Sequence, residues 1–307
     1  MSPPRFTLLV PCFNAATFLP RLWETVRAQT LPFDEIICYD DASTDATADV
    51  ARALGARVLR GESNIGPGAA RNHLWRAATG DWVHFHDADD LLHPRFLEKM
   101  SARATAATDV VICDADWQHE HDRRTLISFR YSESELLAAP AAYLLTHPVG
   151  GINGLYRPAA LAAVDGFDAR LRTWEDADLH VRLARHGARF AVVGEPLVVS
   201  LRRGDSTSAA LSPSWLNRLG ALESYAALST APGFAAALAV EAEHAASAFA
   251  FLGEPVAARR ALALCHRLGA RPPTTRQPLL RALKPFVSAV TLLRWQAMWR
   301  ERSAARA

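Results

Sequence analysis

Trp82-Val83-His84-Phe85-His86-Asp87-Ala88-Asp89-Asp90 carries an apolar run straight into three carboxylates within four residues. The run, residues 82–86, has the length and character of a buried strand, and the acids stand where that strand ends. Carboxylates crowded beside a core are costly unless a cation or a set of donors neutralises them. Oxygen ligands at this density suit Mg2+ or Mn2+, ions that usually share their coordination with substrate phosphates. The plain alternative is a solvated acidic loop.

Working outward, residues 6–10 form an apolar run closed by Pro11, residues 35–39 a second and 56–59 a third, each of strand length. Residues 18–28, 44–54 and 67–78 between and after them have helical character. Phe18, Leu22 and Val26 share one helical face, and Ser43 or Thr44 is placed to cap the second helix. Strands alternating with helices predict an α/β, Rossmann-like fold, a mostly parallel sheet covered on both faces. Ligands in such sheets bind at the carboxyl ends of the strands. Pro11-Cys12-Phe13-Asn14, Asp40-Asp41 and residues 87–90 all fall there. Farther along, strands are expected at 109–115 and 153–156. Helices are expected at 133–145, interrupted at Pro140, and at 176–186, stopped by Gly187. Beyond Ser208 the chain turns Ala- and Leu-rich and helical.

A chain of 307 residues, 50% hydrophobic and 21% charged, suits a soluble globular protein of one large domain or one domain plus an extension. Cys12, Cys38, Cys113 and Cys265 form no CxxC pair, and Cys12, Cys38 and Cys113, in or beside the expected strands, are expected as buried thiols of a reducing cytosol. Met1 to Arg5 leads directly into a strand, so no signal peptide is expected. The uncharged run 136–156 contains Pro140, Pro148 and Gly150-Gly151 and makes a poor membrane span. Charge is uneven: residues 255–307 hold 11 Lys and Arg against one acid, Glu301, while the remainder holds 23 bases against 31 acids. A tail of +10 on a body of −8 follows. A dinucleotide oxidoreductase is excluded because no GxGxxG follows the first strand. A nucleic-acid reader is disfavoured because the basic residues gather in the tail.

Four ordered motifs carry a resemblance: Leu9-Val10-Pro11-Cys12-Phe13-Asn14, Tyr39-Asp40-Asp41-Ala42-Ser43, Asn64-Ile65-Gly66-Pro67-Gly68-Ala69-Ala70-Arg71-Asn72, and Gly80-Asp81 through Asp90. With Gly166-Phe167-Asp168 and Trp174-Glu175-Asp176 downstream, residues 6–208 resemble the family-2 glycosyltransferases of the GT-A fold. The resemblance implies an inverting, metal-dependent transferase. It would move a sugar from a nucleotide-sugar, most commonly UDP-linked, to a hydroxyl of a surface glycan or lipid-linked acceptor. Residues 1–115 would then be the nucleotide-binding half, 116–208 the acceptor-binding half and 209–307 a helical extension. No Gln-x-x-Arg-Trp motif is present, which disfavours the processive branch. A non-catalytic nucleotide-sugar-binding scaffold on the same fold is the alternative.

By that resemblance Pro11, Phe13, Asn14, Asn64 and Gly66 line the nucleotide site. Asp40 and Asp41 bond the base and ribose, as charge-assisted acceptors can; the other reading of this pair is a helix cap. Arg71 contacts the nucleotide, Asp89 coordinates Mn2+ or Mg2+, and Asp87 supports the ion or touches the ribose. On an extended stretch Asp87 and Asp89 point the same way. Asp176 is the base for the acceptor hydroxyl, with Glu175 second; acids opening a helix also have a purely structural reading. Arg202 and Arg203 supply positive charge to the diphosphate, where relatives often carry a His. His73, His84 and His86 lack zinc-type spacing and suit core or pocket wall. Residues 285–300 place Phe286, Val290 and Leu293 at helical spacing, then Trp295, Met298 and Trp299. This helix either packs on the catalytic domain or, across 281–302, meets anionic membrane. The location implied is cytoplasmic, or peripheral at the inner face of the cytoplasmic membrane.

Overall fold

Strand β1 (Phe6–Cys12) lies at the centre of the N-terminal half-sheet, between β2 (Glu35–Asp40) and β4 (Trp82–Phe85), both parallel to it. The computed structural model describes residues 3–202, 211–228, 231–272 and 287–304. The chain divides into two compact units, Met1–Ser206 and Thr207–Ala307.

In the first unit, β3 (Arg57–Arg60) extends the sheet beyond β2. Helices α1 (Leu19–Arg27), α2 (Thr47–Ala53) and α3 (Pro67–Ala77) connect these strands. After β4 come β5 (Leu91–Leu92), α4 (Phe96–Ser101), β6 (Val110–His119), β7 (Thr125–Phe129), α5 (Glu133–Ala138) and α6 (Pro140–Thr146). A short 3-10 turn at Gly151–Asn153 leads into β8 (Gly154–Tyr156), followed by α7 (Pro158–Ala163), α8 (Glu175–Arg185) and β9 (Phe190–Arg202). The sheet order is β3-β2-β1-β4-β8-β6-β9-β5, with β7 paired to β6. The predicted parallel half is present. The second half is mixed, because β8 runs antiparallel to both β4 and β6, and β6 is parallel to β9.

Register fixes the site. Leu9 stands opposite Phe85 and Cys12 opposite Asp40, so β1, β2 and β4 end along one edge. Phe13, Asp41 and Asp87 therefore leave the sheet side by side. One face of these strands packs Leu8, Val10 and Cys12 against Leu19, Leu22 and Trp23 of α1 and Phe96 and Met100 of α4. Burying such side chains contributes about 1.5–3 kcal/mol each. His84 and His86 belong to this interior. Both are fully buried, His84 Nδ1 meets the Gly154 carbonyl at 2.8 Å, and its Nε2 meets His86 Nδ1 at 3.2 Å. Burial pushes His86 down to about 4, so the pair is neutral. All four cysteines are buried free thiols.

Three local expectations are corrected. Strand β1 does not end at Pro11 but runs through it, with Pro11 in register with Tyr39; proline's fixed φ tolerates extended backbone and removes only one donor. Helix α2 begins at Thr47, not Thr44. Ser43 and Thr44 spend their groups elsewhere, on Asn14 and Asp40, and Ala42 is left-handed at φ 60°. Residues 87–90 are a turn rather than an extended stretch, because the Asp90 N–H bonds back to the Asp87 carbonyl at 3.2 Å.

The second unit is helical throughout its described residues: α9 (Leu211–Ala227), α10 (Pro232–Leu252), α11 (Pro255–Arg267) and α12 (Ala289–Ala304). Helix α10 packs against the other three. Its Leu238, Ala242, Ala246 and Phe249 are buried along with Leu222 of α9, Leu264 of α11 and Leu293 of α12. Among the described residues α10 is the one helix long and apolar enough to cross a membrane, yet half of its apolar window is buried within the fold. Its Glu241 is buried and paired with Arg218 of α9.

Candidate active site

Helix α3 supplies the centre of the site. It opens at Gly66, held at φ +88°, with Pro67 in its first turn; a Cβ at Gly66 would run into the Arg172 guanidinium. One turn inside, Arg71 points inward and is only 3% exposed. Its Nη2 donates to Asp87 Oδ1 at 2.7 Å. Its Nη1 donates to Glu175 Oε1 at 2.7 Å and to Asp176 Oδ1 at 3.1 Å. The guanidinium also lies 5.4 Å from the Phe167 ring centroid. Burial opposes its charge, but Asp176, Asp87 and Glu175 hold it well above the usual arginine range.

The neighbouring Asn72 clamps Phe167 from both sides. Its Nδ2 donates to the Phe167 carbonyl at 2.8 Å and its Oδ1 accepts from the Phe167 N–H at 2.9 Å. Gly166 sits at φ +68°, where a Cβ would overlap Asn72 Oδ1. Two adjacent residues of α3 thus hold two downstream motifs, Arg71 the Glu175-Asp176 pair and Asn72 the Gly166-Phe167 turn.

Glu175 and Asp176 open α8, where acids suit the positive end of the helix dipole. The preceding Trp174 is left-handed at φ 69°, a costly conformation for a bulky residue that tends to persist where function requires it. Asp176 packs against the Gly151 backbone. A Cβ on Gly151 would stand 2.8 Å from Asp176 Oδ1. Burial first, then the Asp176 charge, pushes Glu175 up to about 8, against the pull of Arg71. Burial likewise raises Asp176. A carboxyl pair lifted toward neutrality can accept a proton from a weakly acidic hydroxyl.

Along the strand edge, Phe13 is 51% exposed, a free aromatic face beside Asp40 and Asp41. Asp41 accepts from the Ile65 and Gly66 N–H groups at 2.8 and 2.9 Å, stapling the loop before α3. Asp40 accepts from the Ser43 N–H at 3.0 Å and faces Arg60 Nε at 3.3 Å. Asn14, at φ 49°, accepts from the Thr44 N–H at 2.9 Å. Asn64 Oδ1 accepts from Arg172 at 3.3 Å. Pro11 remains within the strand.

In the acidic turn, Asp90 is buried and accepts the Leu201 N–H at 2.8 Å. Burial, then Asp89 and Asp87, raises it well above the usual carboxylate range. The Asp89 carbonyl accepts from Arg21 Nη2 at 2.9 Å, and Arg21 Nη1 reaches Glu120 at 2.9 Å. Arg202 stacks on Trp117 at 3.4 Å and faces Asp90, Asp87 and Asp89, although burial lowers its own pKa. Arg203 lies outside the described residues. No group of three or more His, Cys, Asp or Glu side chains among the described residues could hold a metal unaided. Asp87 and Asp89 nevertheless offer hard oxygen ligands where acids outnumber the facing guanidiniums. A Mg2+- or Mn2+-type ion fits this set if the remaining ligands are phosphate oxygens and water.

The structure brings Arg71, Asp87, Glu175 and Asp176 together, with Asp40, Asp41, Phe13 and Asn14 along the adjoining edge. Gly151, Arg21, Arg172 and the buried Tyr156–His180 pair were not anticipated. The Tyr156 hydroxyl meets His180 Nε2 at 2.9 Å, and His180 Nδ1 meets the Asp176 carbonyl at 2.7 Å, one turn back along α8. The Gly150-Gly151 doublet was the one sequence signal for any of these.

The family model for glycosyl transferase family 2 matches residues 7–160, half of the chain. A succinoglycan biosynthesis protein, ExoO of Rhizobium meliloti (strain 1021), is 35% identical over 205 residues, 62% of this chain and 58% of the relative. A PGL/p-HBAD biosynthesis glycosyltransferase of Mycobacterium bovis (strain BCG / Pasteur 1173P2) is 34% identical over 98 residues, 30% of this chain and 38% of the relative. The chain thus spans about half the length of these curated relatives. Among solved structures, S. aureus TarS residues 1–349, in complex with UDP-GlcNAc, superposes with a TM-score of 0.60 at 19% identity, covering 87% of this chain and 92% of that one. A mannosyltransferase from Pyrobaculum calidifontis, in complex with GDP-Man and Mn2+, gives 0.59 at 21% identity, covering 97% and 81%. At these identities the likeness is one of fold, and the fold is that of the GT-A glycosyltransferases.

Proposed function

The chain belongs to glycosyl transferase family 2, and we propose that it moves a sugar from a nucleotide-sugar to an acceptor hydroxyl with inversion at the anomeric carbon. One observation carries this reading: a single buried guanidinium, Arg71, gathers Asp87, Glu175 and Asp176 at the carboxyl edge of a parallel sheet. In the proposed reaction the acceptor oxygen attacks the anomeric carbon, the bond from that carbon to the diphosphate breaks, and the nucleoside diphosphate leaves with the bonding pair. Asp176 takes the acceptor proton, with Glu175 beside it. A base is needed because a sugar hydroxyl is a weak nucleophile near neutral pH.

The donor nucleotide lies along Phe13, Asn14, Asp40, Asp41, Asn64 and Gly66 in residues 1–115, and the acceptor in 116–208. UDP is the proposed carrier; the S. aureus structure holds UDP-GlcNAc and the Pyrobaculum structure GDP-Man. Asp89 and Asp87 would hold Mn2+ or Mg2+ together with the diphosphate. When bound, such an ion neutralises the departing charge, and Arg202 adds positive charge beside it. A surface glycan or lipid-linked acceptor is supported by the succinoglycan biosynthesis relative. A cytoplasmic protein meeting anionic membrane through 281–302 is supported by the +10 tail and by α12, where Trp295 and Met298 are 44% and 38% exposed. Residues 281–286 of that stretch lie outside the described residues. Flotation with anionic liposomes tests the tail: a chain truncated after Thr275 that floats as well as the full length ends that part of the proposal.

The central test is calorimetric titration with UDP, GDP and dTDP, each with and without Mn2+, beside Asp89→Ala. Metal-dependent binding of one nucleotide, lost in the variant, is expected. Binding of none would overturn the donor site.

A further inference from the structure

Arg71 is the residue whose surroundings depart most from a nucleotide contact. Both terminal nitrogens are committed, Nη2 to Asp87 and Nη1 to Glu175 and Asp176, and Nε is buried. We propose that Arg71 is a positioning residue for the base, aiming Asp176 at the acceptor hydroxyl without touching the nucleotide. The inference rests on the transferase reading above.

The distances assign different tasks to the three acids. The short bonds, 2.7 Å each, go to Glu175 and Asp87, and the longer one, 3.1 Å, to Asp176. Glu175 and Asp87 anchor the guanidinium. Asp176 is oriented by it but takes only a share of one positive charge, so its basicity is not quenched as a matched ion pair would quench it. Gly151 packs against the same carboxylate and leaves no room for a Cβ, which would stand 2.8 Å from Oδ1. Arg71 and Gly151 thus both confine the Oδ1 side of Asp176. The Asp176 side chain keeps 25% of its surface exposed, and Oδ2 is the oxygen that Arg71 leaves free for the proton. Lysine offers one point charge where this arrangement uses a planar fork to reach three acids at once.

The experiment uses the full chain and three variants, Arg71→Lys, Arg71→Met and Gly151→Ala. UDP affinity is measured by calorimetry, UDP release from UDP-sugars by initial rates, and folding by thermal unfolding. All three variants are expected to bind UDP within about 3-fold of wild type, while kcat falls on the order of 100-fold at nearly unchanged donor KM, as for a misplaced base. Arg71→Lys is expected to recover stability relative to Arg71→Met without recovering kcat. Gly151→Ala reads the same confinement without removing a buried charge, so the inference stays open to refutation if the Arg71 variants fail to fold. A UDP affinity at least 10-fold weaker in the Arg71 variants, with wild-type kcat at saturating donor, makes Arg71 a donor contact and overturns the inference. Full kcat in Arg71→Lys or in Gly151→Ala overturns it as well. A wild type that binds none of UDP, GDP and dTDP and releases none of them from a donor sinks the transferase reading and this inference with it. A wild type that does both with one of them isolates the failure to Arg71.

Discussion

Two arginines in this chain, Arg71 buried and Arg218 half-buried, live under opposite charge balances. In the first unit Arg71 faces three carboxylates, of which Asp87 and Asp176 are partly exposed and Glu175 is buried. In the second, Arg218 is held inside a helical bundle by Glu241, with His244 at 3.1 Å from the same carboxylate. Burial lowers Arg218 to about 10, whereas the surplus of acid holds Arg71 above its usual range. A buried pair matched one to one serves architecture and could be exchanged for apolar residues with little loss. A cluster with more acid than base is costly to fold, and it persists where the spare charge handles a proton or a cation.

Four measurements break or sharpen that contrast. The largest effect is expected at the unmatched cluster: Asp176→Asn should lower transfer about 10²–10⁴-fold, the usual range for a general base, while UDP affinity holds. Wild-type rates in that variant would remove the functional half of the comparison. At the matched pair, Glu241→Ala strands Arg218 and should cost about 3–5 kcal/mol in unfolding free energy, whereas the double change Arg218→Met with Glu241→Leu should be close to neutral. If the double variant were as unstable as the single one, the second cluster would be more than architecture. Asn72→Ala should cost about 1–3 kcal/mol by leaving Phe167 backbone groups unpaired, with a parallel loss of rate because the adjoining motif loosens.

The smallest effect is on pH. Glu175 has its folded value raised from 4.5 to about 8, so the stability it contributes is full below 4.5 and is lost as pH rises through about 8. The melting temperature should fall over that window, and Glu175→Gln should flatten the fall. Activity runs the other way, rising with pH as the pair gives up its proton. A melting curve indifferent to Glu175→Gln would show the pair already ionised.

How much of this was legible in the sequence follows from where each signal resides. The short apolar runs ending in Asn14, Asp40 and Asp87 carry strand length and ligand edge in the same few residues, so the parallel half could be read directly. The second half could not. Strand β8 is three residues long, and nothing local records that it runs antiparallel between β4 and β6. The start of α2 was misjudged because Ser43 and Thr44 are good caps whose groups are claimed by Asn14 and Asp40, across the sheet edge. Arg71 posed the same difficulty at greater range: its partner Glu175 lies 104 positions away. The motifs named the residues, and only packing decided which of them meet.

The place of β8 also bears on how the chain must be made. Between β4 and β8 the ribosome delivers three further strands and three helices, and until β8 arrives the outer edge of β4 has no neighbour on that side. An open, buried-type strand invites pairing with other chains, and contacts that close such long loops form slowly. A nascent chain stalled before Gly154 would hold the whole nucleotide edge yet present an unfinished sheet to its surroundings. Leu155 and Tyr156 cover that edge of β4, and β9, made later still, fills the remaining gap between β6 and β5, so the sheet is complete only when synthesis has passed both.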